Sequence, residues 1–389
     1  MDIFKKDEKY LINTYGRFPV EIVRGSGSLC YDSNGKEYID LGTGIAVNTF
    51  GFSDEKWTDA VISQLKAFQH TSNLYYSSPC VELAEMLVLK TGLKKVFFSN
   101  SGAEANECAI KVARKYAELK KGKEYYKILT LKNSFHGRTI TTLSATGQDV
   151  FHEDFTPLTE GFISVEANNV SKAKEIMDNE KLAAVLIEVV QGEGGVLPLT
   201  QEFVKFLRDY SVEKDILLMI DEVQTGNGRT GELYGYMNYN VMPDVISTAK
   251  GLAGGLPLGA TIVGEKAENV LTRGMHGSTF GGNPVCSAGA LNILSRLDEK
   301  TLNGVKERSR FIIDSLKGAK GIISVSGLGL MLGLETKVDA KVIVNKCIER
   351  GVLVLTAKNK VRLLPALNIP FELLEKAVNV LKEVCAEEL

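Results

Sequence analysis

The sequence predicts an α/β protein whose main layer is a mostly parallel sheet, with a second, smaller α+β domain. Short apolar segments alternate with segments of helical periodicity from about residue 46 to about residue 285. This strand-then-helix order is typical of a parallel sheet covered by helices on both faces. Several of the apolar segments are apolar nearly throughout, as expected of strands buried on both faces.

The elements of the large layer follow in chain order. In 202–210, Phe203, Phe206, Leu207 and Tyr210 recur at helical spacing and predict a helix. Seven segments are predicted strands of one sheet: Val96–Phe98, Lys127–Leu131, Phe162–Val165, Ala183–Ile187, Ile216–Ile220, Val245–Ser247 and Ala260–Val263.

The C-terminal part has a different pattern, which predicts the smaller domain. A helix from Phe371 to the end is expected, with Leu374, Val378, Leu381 and Cys385 on one face. Residues 29–41 predict a hairpin around the turn 32–35. We assign 46–285 to the large domain, and 1–45 with 286–389 to the small one. Four strands are expected in the C-terminal part: Ile322–Ser326, Leu330–Leu334, Val352–Leu355 and Val361–Leu364.

Composition excludes several classes of protein. The 389 residues carry 46 Lys and Arg against 48 Asp and Glu, a net charge of −2, so a dedicated nucleic-acid binder is not expected. No apolar run approaches the length of a membrane-spanning helix, and the first ten residues lack the apolar core of a signal peptide.

The six cysteines are dispersed, and no CxxC pair or zinc-ligand spacing occurs. A cytoplasmic protein without a metal site is therefore expected. The dispersed residues are Cys30, Cys80, Cys108, Cys286, Cys347 and Cys385.

A glycine turn follows the first predicted strand of the large layer. Ser101 and Glu104 have the spacing of a capping box, so a well-capped helix is the simpler interpretation. The alternative is an anion site, because the N–H groups at a helix N-terminus bind phosphate and Gly102 would permit close approach.

Two charged residues stand where strands end. Asp221 ends the apolar run 216–220, at the sheet edge where such folds bind ligands. Lys250 follows the strand 245–247 and precedes a glycine-rich loop, where burial would lower its pKa and make it a candidate for Schiff-base chemistry. A loop acid and a surface lysine are the simpler alternatives.

No P-loop, HExxH or GxSxG motif occurs, and His136 by itself is interpreted as structural. Together, however, an amine, an acid after a strand, a phosphate-binding helix start and an aromatic residue meet the needs of pyridoxal phosphate. That cofactor requires a lysine for its aldehyde and an acid for its ring nitrogen.

At this point the chain resembles the class III, fold-type-I pyridoxal-phosphate aminotransferases, and within them the acetylornithine aminotransferases. The resemblance extends from Thr14 to Arg362 and is carried by long motifs. The motifs are GIAVN (44–48), HTSNLYY (70–76), SNSGAEANE (99–107), SFHGRT (134–139), QGEGG (191–195), DEVQTGNGRTG (221–231), AKG (249–251) and HGSTFGGNP (276–284).

The resemblance implies pyridoxal 5′-phosphate as cofactor, with Lys250 as the Schiff-base lysine and Asp221 as the partner of the ring nitrogen. It implies stacking by Phe135 and packing by Val223 under the ring. The remaining cofactor-binding residues implied are Ser101, Gly102, Ala103, Glu222, Gln224 and Thr279.

The resemblance also implies a homodimer, in which Thr279 reaches the neighbouring subunit's phosphate and Ser278 lies close to substrate there. Arg138 resembles the arginine that holds a substrate carboxylate, and Arg362 the one for the α-carboxylate of 2-oxoglutarate. Glu193 resembles the acid that pairs with Arg362 when no dicarboxylate is bound.

Two departures from the family pattern occur. Val189 follows Glu188 where the family usually has proline, which we expect to alter only a local turn. The segment 51–54 replaces the family's GHxHP, and we interpret Ser53 as the N-cap of a changed helix start.

The implied reaction is transfer of the terminal amine of N2-acetyl-L-ornithine to 2-oxoglutarate, in arginine biosynthesis. Ornithine enzymes of this family carry tyrosine where ungapped alignment places Ile45, which favours an acylated donor here. Free ornithine, succinylornithine and succinyl-diaminopimelate remain alternatives. A pyridoxal-phosphate aminomutase and a catalytically inactive scaffold are further alternatives, disfavoured by Glu193 with Arg362 and by Lys250 with Asp221 respectively.

Overall fold

The computed structural model describes residues 3–387. Helix starts are set by side-chain caps: Ser101 accepts from the N–H of Glu104, and Thr200 from that of Phe203. The helices are α1 Ile3–Tyr10, α2 Thr43–Ala46, α3 Glu55–Ala67, α4 Ser78–Thr91, α5 Gly102–Lys121, α6 Ile140–Ala145, α7 Val170–Asn179, α8 Gln201–Glu213, α9 Pro284–Arg296, α10 Glu299–Leu316, α11 Ala340–Glu349 and α12 Phe371–Glu387.

Short 3₁₀ turns cover 149–151, 235–239 and 250–253. The strands are β1 Ile22–Ser26, β2 Leu29–Asp32, β3 Glu37–Asp40, β4 Lys95–Ser99, β5 Lys127–Leu131, β6 Phe162–Val165, β7 Leu182–Ile187, β8 Val190–Gln191, β9 Leu197–Pro198, β10 Leu217–Asp221, β11 Val245–Thr248, β12 Gly259–Val263, β13 Ile322–Leu328, β14 Met331–Thr336, β15 Val352–Leu353, β16 Leu355–Ala357 and β17 Lys360–Leu363.

The main layer is a seven-stranded sheet in the order β4-β12-β11-β10-β7-β5-β6. Only β12 runs antiparallel to its neighbours in this sheet, which confirms the predicted mostly parallel layer. Every residue of β7 and β10 is buried, in agreement with their apolar sequences. Since β4, β5, β7, β10 and β11 all point the same way, their carboxyl ends share one edge of the sheet.

The N-terminal and C-terminal parts of the chain meet in one small sheet, ordered β1-β2-β3-β15. The predicted hairpin is present as β2 and β3, and β15 pairs in parallel with β3. The predicted strand 352–355 is wrong in one respect: it is divided at Val354, because Val352 and Leu353 pair with β3 while β16 pairs with β17 in another sheet.

Two further sequence predictions concern helices. The C-terminal helix buries Leu374, Val378, Leu381 and Cys385, as expected. The N-cap of α3 is Asp54, whose carboxylate accepts the N–H of Trp57, so the assignment of Ser53 was wrong by one residue. Asp54 also pairs with Arg296 of α9. Within residues 3–387, no helix combines the length and the apolar character needed to cross a bilayer.

Candidate active site

A cavity of about 440 Å³ opens at the carboxyl edge of the seven-stranded sheet. The loops that follow β4, β5, β7, β10 and β11 surround it, which is where sheets of this kind bind ligands. Of the residues predicted from sequence, nine line it: Ser101, Gly102, Ala103, Phe135, Arg138, Asp221, Val223, Gln224 and Lys250.

The start of α5 forms one wall of this cavity. Ser101 and Glu104 make the predicted capping box, in which the Ser101 hydroxyl accepts the N–H of Glu104 and the Glu104 carboxylate accepts the N–H of Asn100. A Cβ added to Gly102 would lie 2.6 Å from Cγ1 of Val223, so only glycine leaves room here. A helix N-terminus that opens onto a cavity is suited to an anion.

Asp221 lies on the floor of the cavity, 3% exposed, at the end of β10. Its Oδ2 accepts from Asn106 Nδ2 at 2.7 Å and lies 2.9 Å from Nδ1 of His136. Its Oδ1 accepts the N–H of Val223 at 3.0 Å. Because a buried polar group is stable only with such partners, these bonds fix the orientation of the side chain.

Lys250 begins the 3₁₀ turn just beyond β11, and its side chain borders the same cavity. Burial lowers the pKa of its amine, an effect that Glu193 opposes and Arg362 reinforces. The amine therefore loses its proton more readily than an ordinary lysine, as a nucleophile or base requires.

Arg362 and Glu193 form an ion pair close to this amine. The guanidinium, 3% exposed, donates to Glu193 Oε1 at 2.5 Å and to Gln224 Oε1 at 3.3 Å, and its Nε has no partner in the described chain. Burial alone would raise the pKa of Glu193, but Arg362 and then Lys250 outweigh it and lower that pKa. The carboxylate thus stays charged and paired.

Phe135 and Arg138 form the outer wall. The Arg138 guanidinium lies 4.0 Å from the ring centre of Phe151 and 5.5 Å from that of Phe135. The N–H of Phe135 donates to Glu188 Oε1, and Gly192 N–H donates to its other oxygen, so one buried carboxylate joins two loops of the site.

Five predicted residues are not part of this lining: Glu193 and Arg362, which pair beside it, and Glu222, Ser278 and Thr279. Glu222 points away from it: its carboxylate accepts from Gly235, Tyr236 and Thr225, and burial raises its pKa to about 7. The structure therefore gives its side chain a structural place instead of contact with a ligand. Thr279 is exposed and lines a separate cavity. The hydroxyl of Ser278 accepts a hydrogen bond from Nδ2 of Asn100, which lines the main cavity.

The comparisons with known proteins agree with this geometry. The family model described as aminotransferase class III matches residues 10–385. The chain belongs to the class III aminotransferases.

Individual members of the class III family are similar over nearly the whole chain. An acetylornithine aminotransferase of Haemophilus ducreyi is 46% identical over 383 residues, covering 98% of each chain. A succinylornithine transaminase of Citrobacter koseri is 44% identical and covers 94% of this chain and 92% of its own. The crystal structure of an ornithine aminotransferase from Toxoplasma gondii superposes with a TM-score of 0.95 at 29% identity, covering 99% of this chain and 94% of that one.

Class III aminotransferases use pyridoxal 5′-phosphate, and the residues of this cavity fit that group. A glycine-lined helix start that a Cβ would fill suits the phosphate. A buried carboxylate suits the ring nitrogen, and an amine of lowered pKa suits the aldehyde. The cavity also offers Phe135 and Val223 as apolar walls for a flat ring.

Sequence reasoning missed three residues of this class III site. Asn106 and His136 hold the Asp221 carboxylate, and Glu188 borders the cavity beside them. All three lie within or next to the family motifs, but their own spacing predicted no chemistry. Only the fold brings residues from β5, β7 and α5 to the end of β10.

Proposed function

We propose that this class III aminotransferase moves the terminal amine of N2-acetyl-L-ornithine to 2-oxoglutarate, as a step of arginine biosynthesis. The observation that carries the proposal is the Lys250 amine beside the Glu193–Arg362 pair, in one cavity with Asp221. The arrangement offers an amine-binding nucleophile and a carboxylate site that can be opened or closed.

In the proposed mechanism, pyridoxal phosphate supplies an electron-accepting ring for the pair of electrons left when the substrate carbon loses its proton. Lys250 would hold the cofactor through Nζ, and its neutral amine would take the proton from the substrate carbon. Asp221 would keep a proton on the ring nitrogen, and Asn106 and His136 hold its carboxylate in place. The N-terminus of α5 would bind the phosphate.

Arg362 and Arg138 bind the carboxylates of the substrates in this proposal. With acetylornithine bound, Glu193 covers Arg362 and only the outer Arg138 is free for a carboxylate. With 2-oxoglutarate bound, Glu193 turns away and Arg362 binds the α-carboxylate, where a bidentate pair is strongest. One cavity thereby accepts both substrates in turn.

The acetyl group of the amine donor is the most detailed part of the proposal. The high identity to an acetylornithine enzyme supports it, and the similar identity to a succinylornithine enzyme makes succinylornithine the second candidate. The apolar side chain of Ile45 cannot accept a hydrogen bond from a free α-amine. Ile45 is partly exposed, and it lies two positions before Val47, which lines the cavity.

We further propose a homodimer with shared sites. A cluster of exposed aromatic and aliphatic side chains surrounds the exposed Thr279, and such a patch is typical of an interface. The members of this cluster are Leu74, Tyr75, Tyr76 and Phe280. A second copy would cover the patch and receive Thr279 at its phosphate site.

Domain division and location complete the proposal. The large domain comprises 46–285, and the small one 1–45 with 286–389; the pairing of β3 with β15 supports the second grouping, although α9 crosses the boundary. The six cysteines are free thiols, which suits the cytoplasm.

The decisive experiment measures kcat/KM for acetylornithine, succinylornithine and ornithine side by side, with 2-oxoglutarate as acceptor and glutamate as the product followed. We expect acetylornithine to give the highest value. Preference for ornithine would overturn the donor assignment alone. Turnover of a donor without 2-oxoglutarate would instead favour an aminomutase.

The shared site is tested by mixing two inactive variants, Lys250→Ala and Thr279→Ala, and allowing subunits to exchange. If Thr279 acts on the partner, each mixed dimer contains one intact site and activity returns. If it acts within its own chain, both sites stay defective and no activity returns.

A further inference from the structure

The backbone of Lys250 has an unusual conformation for a lysine. Its φ is +44°, in the left-handed region, and the preceding Ala249 has φ −165° and ψ −138°. Side chains with a Cβ disfavour the left-handed region, so such a residue persists only where its surroundings fix it. Residues of this kind cluster at functional sites.

Two side chains bind the carbonyl groups of the residues that precede and follow Lys250. Asn227 Nδ2 donates to the carbonyl of Ala249 at 3.1 Å, and Thr49 Oγ1 donates to the carbonyl of Gly251 at 2.8 Å. Both side chains are buried, at 3% and 2% exposed. A Cβ on Gly251 would lie 2.8 Å from Thr49 Oγ1 and 3.5 Å from Cβ of Asn227, so the three residues are packed together.

The side chain of Asn227 has an energetic cost at this position. Its Nδ2 also donates to Thr248 Oγ1, but its Oδ1 is buried without a hydrogen-bond partner in the described chain. An unpaired buried acceptor destabilises a fold. Its N–H groups hold the end of β11 and the carbonyl before Lys250.

Thr49 connects the turn of Lys250 to another part of the site. Its own carbonyl accepts the N–H of Leu367 at 2.9 Å, a few residues beyond Arg362 of β17. One threonine thus joins the lysine turn, through its hydroxyl, to the segment that follows the arginine strand, through its carbonyl.

We infer that Thr49 and Asn227 are positioning residues for Lys250, which hold its strained backbone so that the amine points into the cavity. Neither residue lines the cavity, so each acts through the backbone of Lys250 alone. The inference rests on the proposed role of Lys250 as the cofactor-binding amine. The charged groups that face this amine are Glu193, Arg362, Asp221 and Glu188, and the substitutions below leave all four in place.

The test compares Thr49→Val and Asn227→Leu with two controls. Thr49→Val replaces the hydroxyl with a methyl group. Asn227→Leu keeps the branching at Cγ and removes the amide, with a larger side chain at a residue whose own φ is +56°. Thr49→Ser retains the hydroxyl and is the conservative rescue. Thr91→Val is the matched control, because Thr91 is equally buried and its hydroxyl donates to the carbonyl of Leu87 in α4, away from this turn.

Two readouts are needed. The first is the pH titration of the visible absorption band of the holoenzyme without substrate. The second is reductive methylation of Lys250 in the full-length protein after removal of the cofactor, at a series of pH values, measured by peptide mass spectrometry against the exposed Lys205. The methylation profile reports the free amine, which an attached cofactor would block.

We expect Thr49→Val and Asn227→Leu to raise the apparent pKa of the Lys250 amine by at least about half a unit, a threefold change in proton affinity. The amine would relax out of its desolvated position, and kcat would fall more than KM changes. Thr49→Ser should behave as wild type, and Thr91→Val should lower Tm without moving either profile.

The inference is overturned if Thr49→Val and Asn227→Leu lower Tm as Thr91→Val does and leave both pH profiles unchanged. Failure of the proposed function has a different signature: borohydride would then fix no cofactor on Lys250 of the wild type. The methylation profiles would still decide whether the two residues position the amine.

Discussion

The floor and the rim of the cavity are built in different ways. The floor consists of Asp221 and Lys250 at strand ends. Asp221 is held by the buried Asn106 and His136, and the backbone beside Lys250 by the buried Asn227 and Thr49. On the rim, Arg138 is exposed and Glu193 lies on a loop. In the proposed function, the floor serves the chemistry common to both half-reactions, whereas the rim selects substrates. Substitutions should therefore separate the two regions.

The largest effect should come from the floor. Lys250→Ala removes the amine that binds the cofactor and moves the proton, so kcat should fall on the order of 10⁴-fold or more in both half-reactions. Borohydride reduction of the wild type, followed by peptide mapping, should label Lys250. Lys205→Ala, on an exposed face of α8, is the control and should be silent. A label on another lysine would contradict the assignment.

Asp221→Ala should follow, with a loss on the order of 10²–10³-fold in the proton-transfer step of both half-reactions. Without the carboxylate, the ring nitrogen loses its proton more easily and the ring accepts electrons less well. Rapid mixing with each substrate separately measures the two steps. Asp209→Ala, at an exposed position of α8, is the matched control. An unchanged rate in either half-reaction would show that Asp221 does not assist the proton transfer.

Arg362→Ala should distinguish the half-reactions, because in the proposed function Arg362 binds 2-oxoglutarate and is covered by Glu193 when acetylornithine is bound. We expect the 2-oxoglutarate step to slow on the order of 100-fold through loss of a buried charge pair, and the acetylornithine step to slow less, because Glu193 covers Arg362 there. Arg138→Ala should slow both. Damage confined to the acetylornithine step would show that the two arginines have exchanged roles.

The charges of Glu193 and Arg362 should also change the pKa of the Lys250 amine. Glu193 raises the pKa of Lys250 and Arg362 lowers it, against a background of burial that lowers it. Glu193→Gln should therefore lower the pKa of the Lys250 amine further, and Arg362→Ala should raise it. Reductive methylation of Lys250 in the cofactor-free protein, at a series of pH values, measures both shifts. Shifts in the same direction would mean that the two charges do not act on the amine electrostatically.

The smallest effect should be that of Ile45→Tyr, which changes donor preference and little else. A hydroxyl near the α-amine of ornithine would supply a partner for a charged group that otherwise lacks one, so kcat/KM for ornithine relative to acetylornithine should rise, by about tenfold. Ile45 has φ +66°, where a β-branched side chain is strained, and tyrosine relieves part of that strain. Equal ratios in the two proteins would exclude Ile45 from donor selection.

The sequence predicted the floor better than its supports. Asp221 and Lys250 could be located because strand ends are visible as breaks in apolar runs. Asn106 and His136 could not be located, because they lie 115 and 85 positions from Asp221 in the sequence and meet its carboxylate only in the folded chain. The division of 352–355 between two sheets was equally hidden, because both halves carry the same apolar pattern.

The parallel pairing of β3 with β15 has a consequence for how the chain is made. Residues 37–40 leave the ribosome about 300 residues before their partner at 352–353, and Leu41 and Thr43 must wait still longer for Leu364. Contacts of such separation form slowly and leave an open strand edge on the nascent chain. The segment from Leu41 to Thr49, which contributes Val47 to the cavity wall, therefore takes its final shape only after synthesis is almost complete.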